Sequence, residues 1–279
     1  MLSIISKFQN NKKKHIKELN KKIINNINNI SNKIEKKRNI TFVHSGHLGD
    51  IINSLPVVKE ISKKVKCNFL IKTHSSKNIN LTKDAFNKIY PLLKSQPYIS
   101  KVDQYRGQKI DINLDFFREL PINFNVDSVR WYSHLTGVFP DLNKPYLLNI
   151  KKKYEYKNSI IIIRSLRRQN KNINFSFLKK NKKIFFIGLY PEYLDLKKQI
   201  KNLNFYNCKN FLEMAEIINS CKLFIGNLSF GYTIAEALKV PRLLESYLDF
   251  PLVYPNGKKG YEFYFQRHLH STYCLLFLI

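Results

Sequence analysis

The chain has 279 residues, enough to bury a sizeable core, and one or two domains are the natural expectation. No apolar run approaches the ~20 residues that span a bilayer, which excludes an ordinary membrane-spanning helix. Lys and Arg number 48 against 20 Asp and Glu, so the formal net charge is +28. This charge favours an anionic partner such as a nucleotide sugar, an acidic glycan, a membrane surface or a nucleic acid. An AT-rich coding sequence would also produce the surplus of Lys beside abundant Asn and Ile.

The four cysteines are scattered along the chain and form no C-x-x-C pair. Their spacing excludes a zinc site or a disulfide framework and predicts reduced thiols in the core of a cytosolic protein. Lysines at positions 12–14 interrupt the apolar start of the chain, so we expect no signal peptide. The cysteines are Cys67, Cys208, Cys221 and Cys274.

Residues 1–38 contain no glycine or proline, and Lys and Asn dominate them. Isoleucines at positions 16, 23, 27, 30 and 34 predict a helix with one narrow apolar stripe, close to a heptad seam. This basic helix can lie on an anionic membrane, pair with a second copy, pack on its own body or remain a solvated arm.

The pattern then changes to strands and helices. Residues 39–43 predict a strand, residues 44–50 a turn, and residues 51–65 a helix that contains Pro56. In the turn, Gly46 and Gly49 would let the backbone bend tightly and let a substrate approach closely. The turn is neither a P-loop nor a full G-x-G-x-x-G motif, so by itself it is a weak signal.

Strands and helices alternate through the first half, which predicts a parallel, doubly wound sheet. His74 would follow the second strand at the ligand edge, where a solvated loop histidine is the simpler interpretation. Trp131, the only tryptophan, is expected in the core or at a domain interface. Residues 137–146 contain two prolines and are the best linker candidate. The other predicted elements are strands at 68–72, 99–102 and 110–114 and helices at 84–94 and 127–135.

A continuous apolar strand at residues 159–163 restarts the pattern. Arg164 and Arg167 leave its carboxyl end, where a guanidinium fork suits a diphosphate; a basic surface loop is the alternative. After residue 245 the alternation ends, and residues 250–260 predict a loop before a last helix at 261–270. The intervening elements are strands at 183–188 and 205–207 and helices ending near 201 and spanning 211–220.

The stretch at residues 217–244 has the order helix, strand, turn, helix, strand. Its turn, Gly226-Asn227-Leu228-Ser229, would leave backbone N–H groups pointing outward at the start of a helix, which suits a phosphate or diphosphate. The alternative is that Asn227 or Ser229 only caps the helix. Glu236, one turn into that helix, could reach a ribose or sugar hydroxyl or could be a solvated helix residue.

Together the two turns resemble the motifs of family 9 glycosyltransferases, the ADP-heptose:lipopolysaccharide heptosyltransferase-like group. The G-x-x-G-D run ending at Asp50, with Pro56 six residues later, is similar to that family's first turn. The 226–241 segment is similar to its donor-binding motif of a G-N-x-S-like turn, an A-x-A-L helix and a V-P exit. The resemblance covers roughly residues 39–250 and departs at Leu228 and Phe230, where the family usually has an acidic residue and a glycine.

The resemblance implies a GT-B arrangement of two Rossmann-like domains facing each other across a cleft. We expect a basic helical extension at 1–38, an acceptor domain at 39–145 and a nucleotide-sugar donor domain at 146–279. The resemblance also nominates Asp50 as the general base. His44 and His47 are the other candidates for the base, and Asp50 could instead only cap the helix. Gly46, His47 and Gly49 would form the acceptor-side loop, and the expected donor-binding residues are Arg164, Arg167, Asn227, Ser229, Gly231 and Glu236.

The sequence therefore predicts an inverting, metal-independent glycosyltransferase that uses a nucleotide-sugar donor and no cofactor. Its acceptor would be a glycan or lipopolysaccharide-type glycolipid. We expect a cytoplasmic protein that can touch the inner face of an anionic membrane or form oligomers through its N-terminal helix, without specific nucleic-acid binding. The alternative is a catalytically inactive nucleotide-sugar-binding or scaffold protein of the same fold, which the altered turn at 227–230 favours.

Overall fold

The computed structural model describes residues 2–73, 81–119, 127–249 and 252–277, with side chains from residue 17 onward. The predicted ligand-edge residue His74, residues 250 and 251 of the predicted loop, and the last two residues of the apolar tail lie outside the described residues.

Four parallel strands form the N-terminal sheet, in the order β3-β2-β1-β4. The central strand β1 buries Ile40 and Phe42 on one side and carries His44 at its carboxyl end. This order equals the first four strands of a Rossmann sheet, which confirms the predicted doubly wound topology. The strands are β1 (Asn39–His44), β2 (Lys66–Ile71), β3 (Lys101–Gln104) and β4 (Ile112–Asn113).

Six parallel strands form the second sheet, in the order β10-β9-β8-β5-β6-β7. Counted from its own first strand, this is the 3-2-1-4-5-6 order of a complete Rossmann sheet. The central strand β5 is four buried isoleucines, as its continuous apolar run predicted. The strands are β5 (Ile160–Ile163), β6 (Ile184–Ile187), β7 (Asn204–Tyr206), β8 (Leu223–Asn227), β9 (Arg242–Glu245) and β10 (Gly260–Phe263).

The helices pack against the sheets and bury their apolar faces there. Both α2 and α3 contain a proline, Pro56 and Pro91, as the sequence predicted for α2. The helices are α1 (Leu2–Lys36), α2 (Leu48–Ile61), α3 (Lys83–Lys94), α4 (Trp131–Thr136), α5 (Tyr190–Lys197), α6 (Phe211–Ser220), α7 (Phe230–Leu238) and α8 (Gln266–Phe277).

The basic helix α1 packs on its own body, which is one of the four arrangements that the sequence allowed. Leu19 and Ile23 pack against Leu135 of α4, and Asn26 donates a 2.8 Å hydrogen bond to the Leu135 carbonyl. Farther along, Ile27 lies so close to Gly137 that a Cβ there would be 2.7 Å from its Cγ2. The described part of α1 therefore packs its apolar stripe on the N-terminal half. Most of its described lysines are exposed, but Lys33 is half-buried and donates to the Asp111 carbonyl at 2.6 Å.

The end of the chain differs from the sequence prediction. A helix was expected over residues 261–270, but Gly260–Phe263 adds a parallel strand beside β9, and the helix α8 begins only at Gln266. Tyr273 and Phe277 of α8 stack on each other and pack on the second sheet's own core. The strand forms because the edge of β9 offers unpaired backbone groups to the aromatic segment that follows Gly260.

The two sheets share one continuous hydrophobic cluster, because α2 packs on α7 and α3 packs on α6. The linker residue Tyr146 belongs to this junction: its N–H bonds to Ala237, and its carbonyl accepts from Tyr98 at 2.6 Å. Trp131 is buried and stacks on Phe117 with ring centroids 4.9 Å apart, which confirms its predicted core position.

The predicted core thiols are only partly confirmed. Cys67 and Cys221 are buried, and burial raises the pKa of each thiol to about 12. Cys208 is half-buried, whereas Cys274 is exposed on α8 because that helix presents only one face to the sheet. All four described cysteines are free thiols.

Asp127 joins the two halves through a 2.9 Å hydrogen bond from the Asn256 amide to its carboxylate. Burial raises the pKa of Asp127 to about 6, partly offset by that hydrogen bond and reinforced by the charge of Glu236. The folded protein thus binds this proton more tightly than the unfolded chain does. Ionisation of Asp127 consequently destabilises the fold, and the loss develops as pH rises from about 4 to about 6.

We expect Asp127→Asn to raise the free energy of unfolding by about 1–3 kcal/mol at pH 8, because Asn keeps the hydrogen bond without the charge. The gain should shrink as pH falls toward 4. Urea denaturation at both pH values measures it, with Asp195→Asn on the exposed side of α5 as a control expected to change stability by less than about 0.5 kcal/mol. Equal effects at both pH values would contradict this account of Asp127.

Candidate active site between the two sheets

The candidate site lies where the carboxyl ends of the two parallel sheets meet. At this edge α2 begins after β1 and α7 begins after β8, and these two helices pack against each other. Gly49 lies at this contact, where a Cβ would be 3.5 Å from the Thr233 side chain. The turn at residues 44–50 and the turn at residues 226–229 are thereby brought to one place, as expected for a ligand site in an open α/β sheet.

His44 fixes the first turn from beneath. Its ring is fully buried, its Nδ1 accepts a 2.9 Å hydrogen bond from the Gly46 N–H, and its Nε2 therefore carries the proton toward the Tyr132 hydroxyl at 2.8 Å. Burial lowers the pKa of His44, so the ring is neutral at pH 7. With both nitrogens engaged, His44 holds the turn and cannot serve as the base for a bound substrate.

Two charged residues that follow the short strand β4 complete this side of the site. Asp115 accepts from the Ser45 N–H with both oxygens, at 3.1 and 2.9 Å. A Cβ at Gly46 would lie 2.4 Å from Arg118 Nη2, which can move, and 2.6 Å from Cε1 of the buried His44 ring, so His44 is the reason for the glycine. The 3-10 helix Leu114–Glu119 thus carries one residue that pins the turn and one that covers it.

Asp50 lies in the first turn of α2, and its Oδ2 pairs with Arg118 Nη2 at 3.0 Å. The N-cap of this helix is His47, without a side-chain cap, so a mere capping role for Asp50 is wrong. The carboxylate is partly exposed, at 18 %, and Arg118 holds it in one orientation. A partly exposed, oriented carboxylate at a sheet edge is suited to accept a proton from a bound hydroxyl.

His47 is exposed between the two halves of the cleft. Partial desolvation lowers its pKa, the Asp50 charge raises it, and the positive charges of Arg118, Arg167 and Arg168 lower it further. Asp50 likewise acts on the pKa of Arg168, which burial and Arg167 lower. The charges of the Asp50 turn and of the arginine loop are therefore near enough to affect one another.

Asn227, at the end of β8, clamps the arginine loop on the opposite side. Its side chain is fully buried; its Oδ1 accepts from the Ser165 N–H at 3.0 Å, and its Nδ2 donates to the carbonyls of Ser165 and Arg167 at 2.9 and 2.8 Å. A longer contact, 3.3 Å, reaches the Arg168 carbonyl. Arg168 has a left-handed backbone, φ 59°, which a non-glycine residue adopts at some cost. Asn227 therefore shapes the loop and is too deeply buried to contact a donor itself.

The predicted donor-binding residues Arg167 and Ser229 lie on the cleft side. Arg167 is exposed, and among the described residues no side-chain partner of its guanidinium is found. Ser229 is the N-cap residue of α7, but its hydroxyl donates to the Asn227 carbonyl at 3.1 Å and does not cap the helix. The Ser229 side chain therefore leaves the N–H groups of the first turn of α7 uncapped.

Arg164 and Glu236 do not face a donor, which corrects two predicted site residues. Arg164 leaves β5 where predicted, yet it is buried and pairs with Glu245 at 2.5 and 2.8 Å. Glu236 is buried as well, paired with Lys239 and with Arg242 at 2.5 Å. Both residues neutralise a buried partner, because an unpaired charge would be too costly inside the sheet.

Gly231 has a packing role in addition to its place at the start of α7. A Cβ at this position would lie 2.4 Å from Ile163 Cδ1, so the glycine lets α7 settle directly on the end of β5. Phe230, at the place where the resembling family usually has glycine, packs edge-on against Phe211 of α6 with centroids 4.6 Å apart. Although the turn at 227–230 differs from the family's motif, the first residues of α7 are still closely packed.

Sequence reasoning missed Arg118, Asp115 and the role of His44. A signal was present: the charged residues Asp115 and Arg118 follow a short apolar strand at the edge where ligands bind. Within the described ranges, no group of three or more His, Cys, Asp or Glu side chains is placed to hold a metal ion. Among the described helices, none combines the length and apolar character that crossing a bilayer requires.

The fold is that of GT-B glycosyltransferases, as the resemblance predicted, and several solved structures share it. E. coli ADP-heptose LPS heptosyltransferase II superposes with a TM-score of 0.58 at 11 % identity, over 86 % of this chain and 98 % of the other. A family 9 glycosyl transferase from Veillonella parvula gives 0.54 at 12 % identity, over 87 % and 90 % of the two chains.

A third structure, E. coli heptosyltransferase WaaC with ADP-2-deoxy-2-fluoro heptose, gives a TM-score of 0.51 at 8 % identity, over 81 % of this chain and 92 % of the other. No protein-family model matches the sequence, and no curated protein sequence matches it. At these identities the likeness establishes the fold, and the chemistry must be argued from the residues of this chain.

We expect Asn227→Asp to destabilise the protein by about 2–4 kcal/mol, because a buried carboxylate would face the carbonyls that the amide now donates to. Urea denaturation at pH 7 measures the loss. The control is Asn219→Asp on α6, whose half-buried amide donates to the Ile150 carbonyl alone and whose change should cost about 1 kcal/mol. Similar losses of stability in both variants would contradict the role of Asn227 in holding the arginine loop.

Proposed function

We propose that the protein is an inverting, metal-independent glycosyltransferase that uses a nucleotide-sugar donor. One observation carries the proposal. The oriented carboxylate of Asp50 lies on one side of the cleft, and the arginine loop and the uncapped start of α7 lie on the other. The shared fold with solved glycosyltransferases supports it. The family resemblance of the two turns points to the same reaction class.

Asp50 is the general base in this proposal. As the acceptor hydroxyl attacks the anomeric carbon, its proton passes to the Asp50 carboxylate and the new C–O bond forms. Attack from the side opposite the leaving group inverts the configuration. Arg118 pairs with Oδ2 and keeps the carboxylate oriented. Because Arg118 and His44 fill the space beside Gly46, the acceptor would approach Asp50 from the side of Gly49 and His47.

The leaving nucleoside diphosphate takes the electron pair of the broken bond between the anomeric carbon and the phosphate oxygen. Arg167, the N–H groups at the start of α7 and the Ser229 turn would stabilise its growing negative charge. Burial and the charge of Arg167 both lower the pKa of Arg168, and an anion bound beside the two arginines would offset both effects. This charge stabilisation needs no metal ion.

The acceptor in this proposal is a glycan or lipopolysaccharide-type glycolipid bound on the N-terminal sheet. The bound acceptor would lie beside His47, which stands exposed next to Asp50. We place the protein in the cytoplasm, with peripheral contact to the inner face of an anionic membrane as a further part of the proposal.

The second candidate is a nucleotide-sugar-binding protein of the same fold without catalysis. The buried pairing of Arg164 with Glu245 and of Glu236 with Arg242 favours it, because two expected donor contacts are committed to the core. Both candidates bind a nucleoside diphosphate, so binding alone does not separate them; turnover and its dependence on Asp50 do.

The first experiment measures thermal stabilisation across a panel of nucleotides and nucleotide sugars, with and without EDTA. We expect one nucleoside diphosphate to raise Tm equally in both conditions, which names the donor base. A shift that EDTA abolishes would contradict metal independence, and no shift with any compound would contradict both candidates.

With that donor, Asp50→Asn should lower kcat by about 10²–10⁴-fold while the donor Kd stays within about twofold, because the base acts on the acceptor alone. Glu60→Gln, at the far end of the same helix, is the matched control and should leave turnover unchanged. Donor binding without turnover in the unaltered protein supports the inactive candidate.

Arg167→Ala should weaken donor binding by about 10–100-fold, since one charge-assisted contact to phosphate is lost. Lys171→Ala, an exposed cation farther along the same loop, serves as the control. Calorimetric titration with the nucleoside diphosphate compares them. Equal affinities for the two variants would remove Arg167 from the donor site.

A further inference from the structure

A second basic site lies at the opposite end of the N-terminal sheet. A cavity of 670 Å³ opens where β1 and β2 begin, beside the end of α2. The strands β1 and β2 each have six residues, so about 20 Å of sheet separates this cavity from the Asp50 turn. It therefore belongs to neither the donor side nor the acceptor side of the cleft.

Five of the twelve residues around the cavity are cationic, and none is acidic. Arg38 and Lys66 are adjacent because the Lys66 N–H bonds to the Arg38 carbonyl at 3.0 Å. Of the five, only Lys63 has an ion-pair partner among the described residues, the nearby Glu60 at 2.7 Å. The cations are Arg38, Lys59, Lys63, Lys64 and Lys66.

The end of α2 would normally repel an anion, because its last carbonyls carry partial negative charge. Here the turn that follows satisfies those carbonyls: the N–H groups of Ser62 and Lys63 bond to Val58 and Glu60, and those of Lys64 and Val65 bond to Ile61. The Ser62 hydroxyl donates to the Lys59 carbonyl at 2.7 Å. The cavity thus presents side-chain cations with little opposing backbone charge.

Buried side chains form part of the cavity's floor. Tyr98 is buried there and its hydroxyl is fixed to the Tyr146 carbonyl at 2.6 Å, while Val65 and Cys67 are also buried. Lys59 bonds to the Pro145 carbonyl at 2.8 Å, and its pKa is lowered by partial burial and by the neighbouring Lys63. A bound anion would offset both costs. The volume is within the range of about 300–1,000 Å³ typical of small-molecule sites.

We propose that this cavity binds a phosphate-bearing ligand, separately from the cleft. Several ammonium groups around one concave surface suit the multiple oxygens of a phosphomonoester or diphosphate. The phosphate can belong to a soluble molecule or to a lipid headgroup, since both offer the same oxygens. The proposal does not depend on glycosyl transfer.

Site-specific acetylation of the unaltered protein tests it, with mass spectrometry reading each lysine. Inorganic pyrophosphate at tenfold its Kd should slow acetylation of Lys59, Lys63, Lys64 and Lys66 by about tenfold and leave Lys179 and Lys180 unchanged. Phosphatidylglycerol vesicles replace pyrophosphate in a second arm, with phosphatidylcholine vesicles as the neutral control. Protection by pyrophosphate indicates a soluble ligand, and protection by anionic vesicles alone indicates a lipid.

Two charge-reversal double variants distinguish binding at the cavity from binding that depends only on the protein's net charge. Lys64→Glu with Lys66→Glu should weaken pyrophosphate binding at the cavity by about 10–100-fold. Lys179→Glu with Lys180→Glu changes the net charge equally, at an exposed surface of the second sheet's unit, and should have no such effect. An Arg167→Ala background removes the cleft's contribution and should leave protection of the cavity lysines intact.

Absence of protection by both pyrophosphate and anionic vesicles would overturn the proposal. Equal loss of affinity in the two charge-reversal variants would also overturn it, because binding would then follow net charge alone. Loss of protection in the Arg167→Ala background would reassign the anion to the cleft.

Discussion

The contact between α2 and α7 is the constraint on which the rest of the site depends. Each helix begins at the carboxyl end of a central strand, so packing them together places the starts of both helices at one point. Gly49 of α2 lies beside Thr233 of α7, and Gly231 lets α7 settle on Ile163 at the end of β5. A side chain at Gly231 would clash with Ile163 and push α7 off the end of β5, whereas a Cβ at Gly49 would make only ordinary contact with Thr233.

Buried ion pairs divide the basic residues into two groups. Arg164 and Arg242 are enclosed and neutralised by Glu245 and Glu236, so they stabilise the second sheet and leave no charge for a ligand. Arg167 and Lys66 remain on the surface, in the cleft and beside the second cavity respectively. Basic residues free of such buried pairing therefore occur at both ends of the N-terminal sheet, in the cleft and around the second cavity.

Much of the fold could be predicted because local patterns dictate it. The continuous isoleucines of β5 can only be buried on both faces, and the alternation of strands with helices imposes parallel pairing and crossover connections. The segment after Gly260 was predicted as a helix and forms β10 instead. This strand forms because it pairs with β9, and the sequence of a four-residue segment does not indicate which distant strand it will pair with.

The sequence by itself determined the two turns and their positions after β1 and β8, which led to Arg167 and Ser229 as candidates, while the family resemblance of the first turn nominated Asp50. Only the tertiary structure decided which charged residues reach the cleft. Arg164 lies only three residues before Arg167, yet its side chain is buried because it pairs with Glu245, 81 positions later in the chain. Side-chain pairing of this kind depends on distances between remote segments, which periodicity and local propensity do not encode.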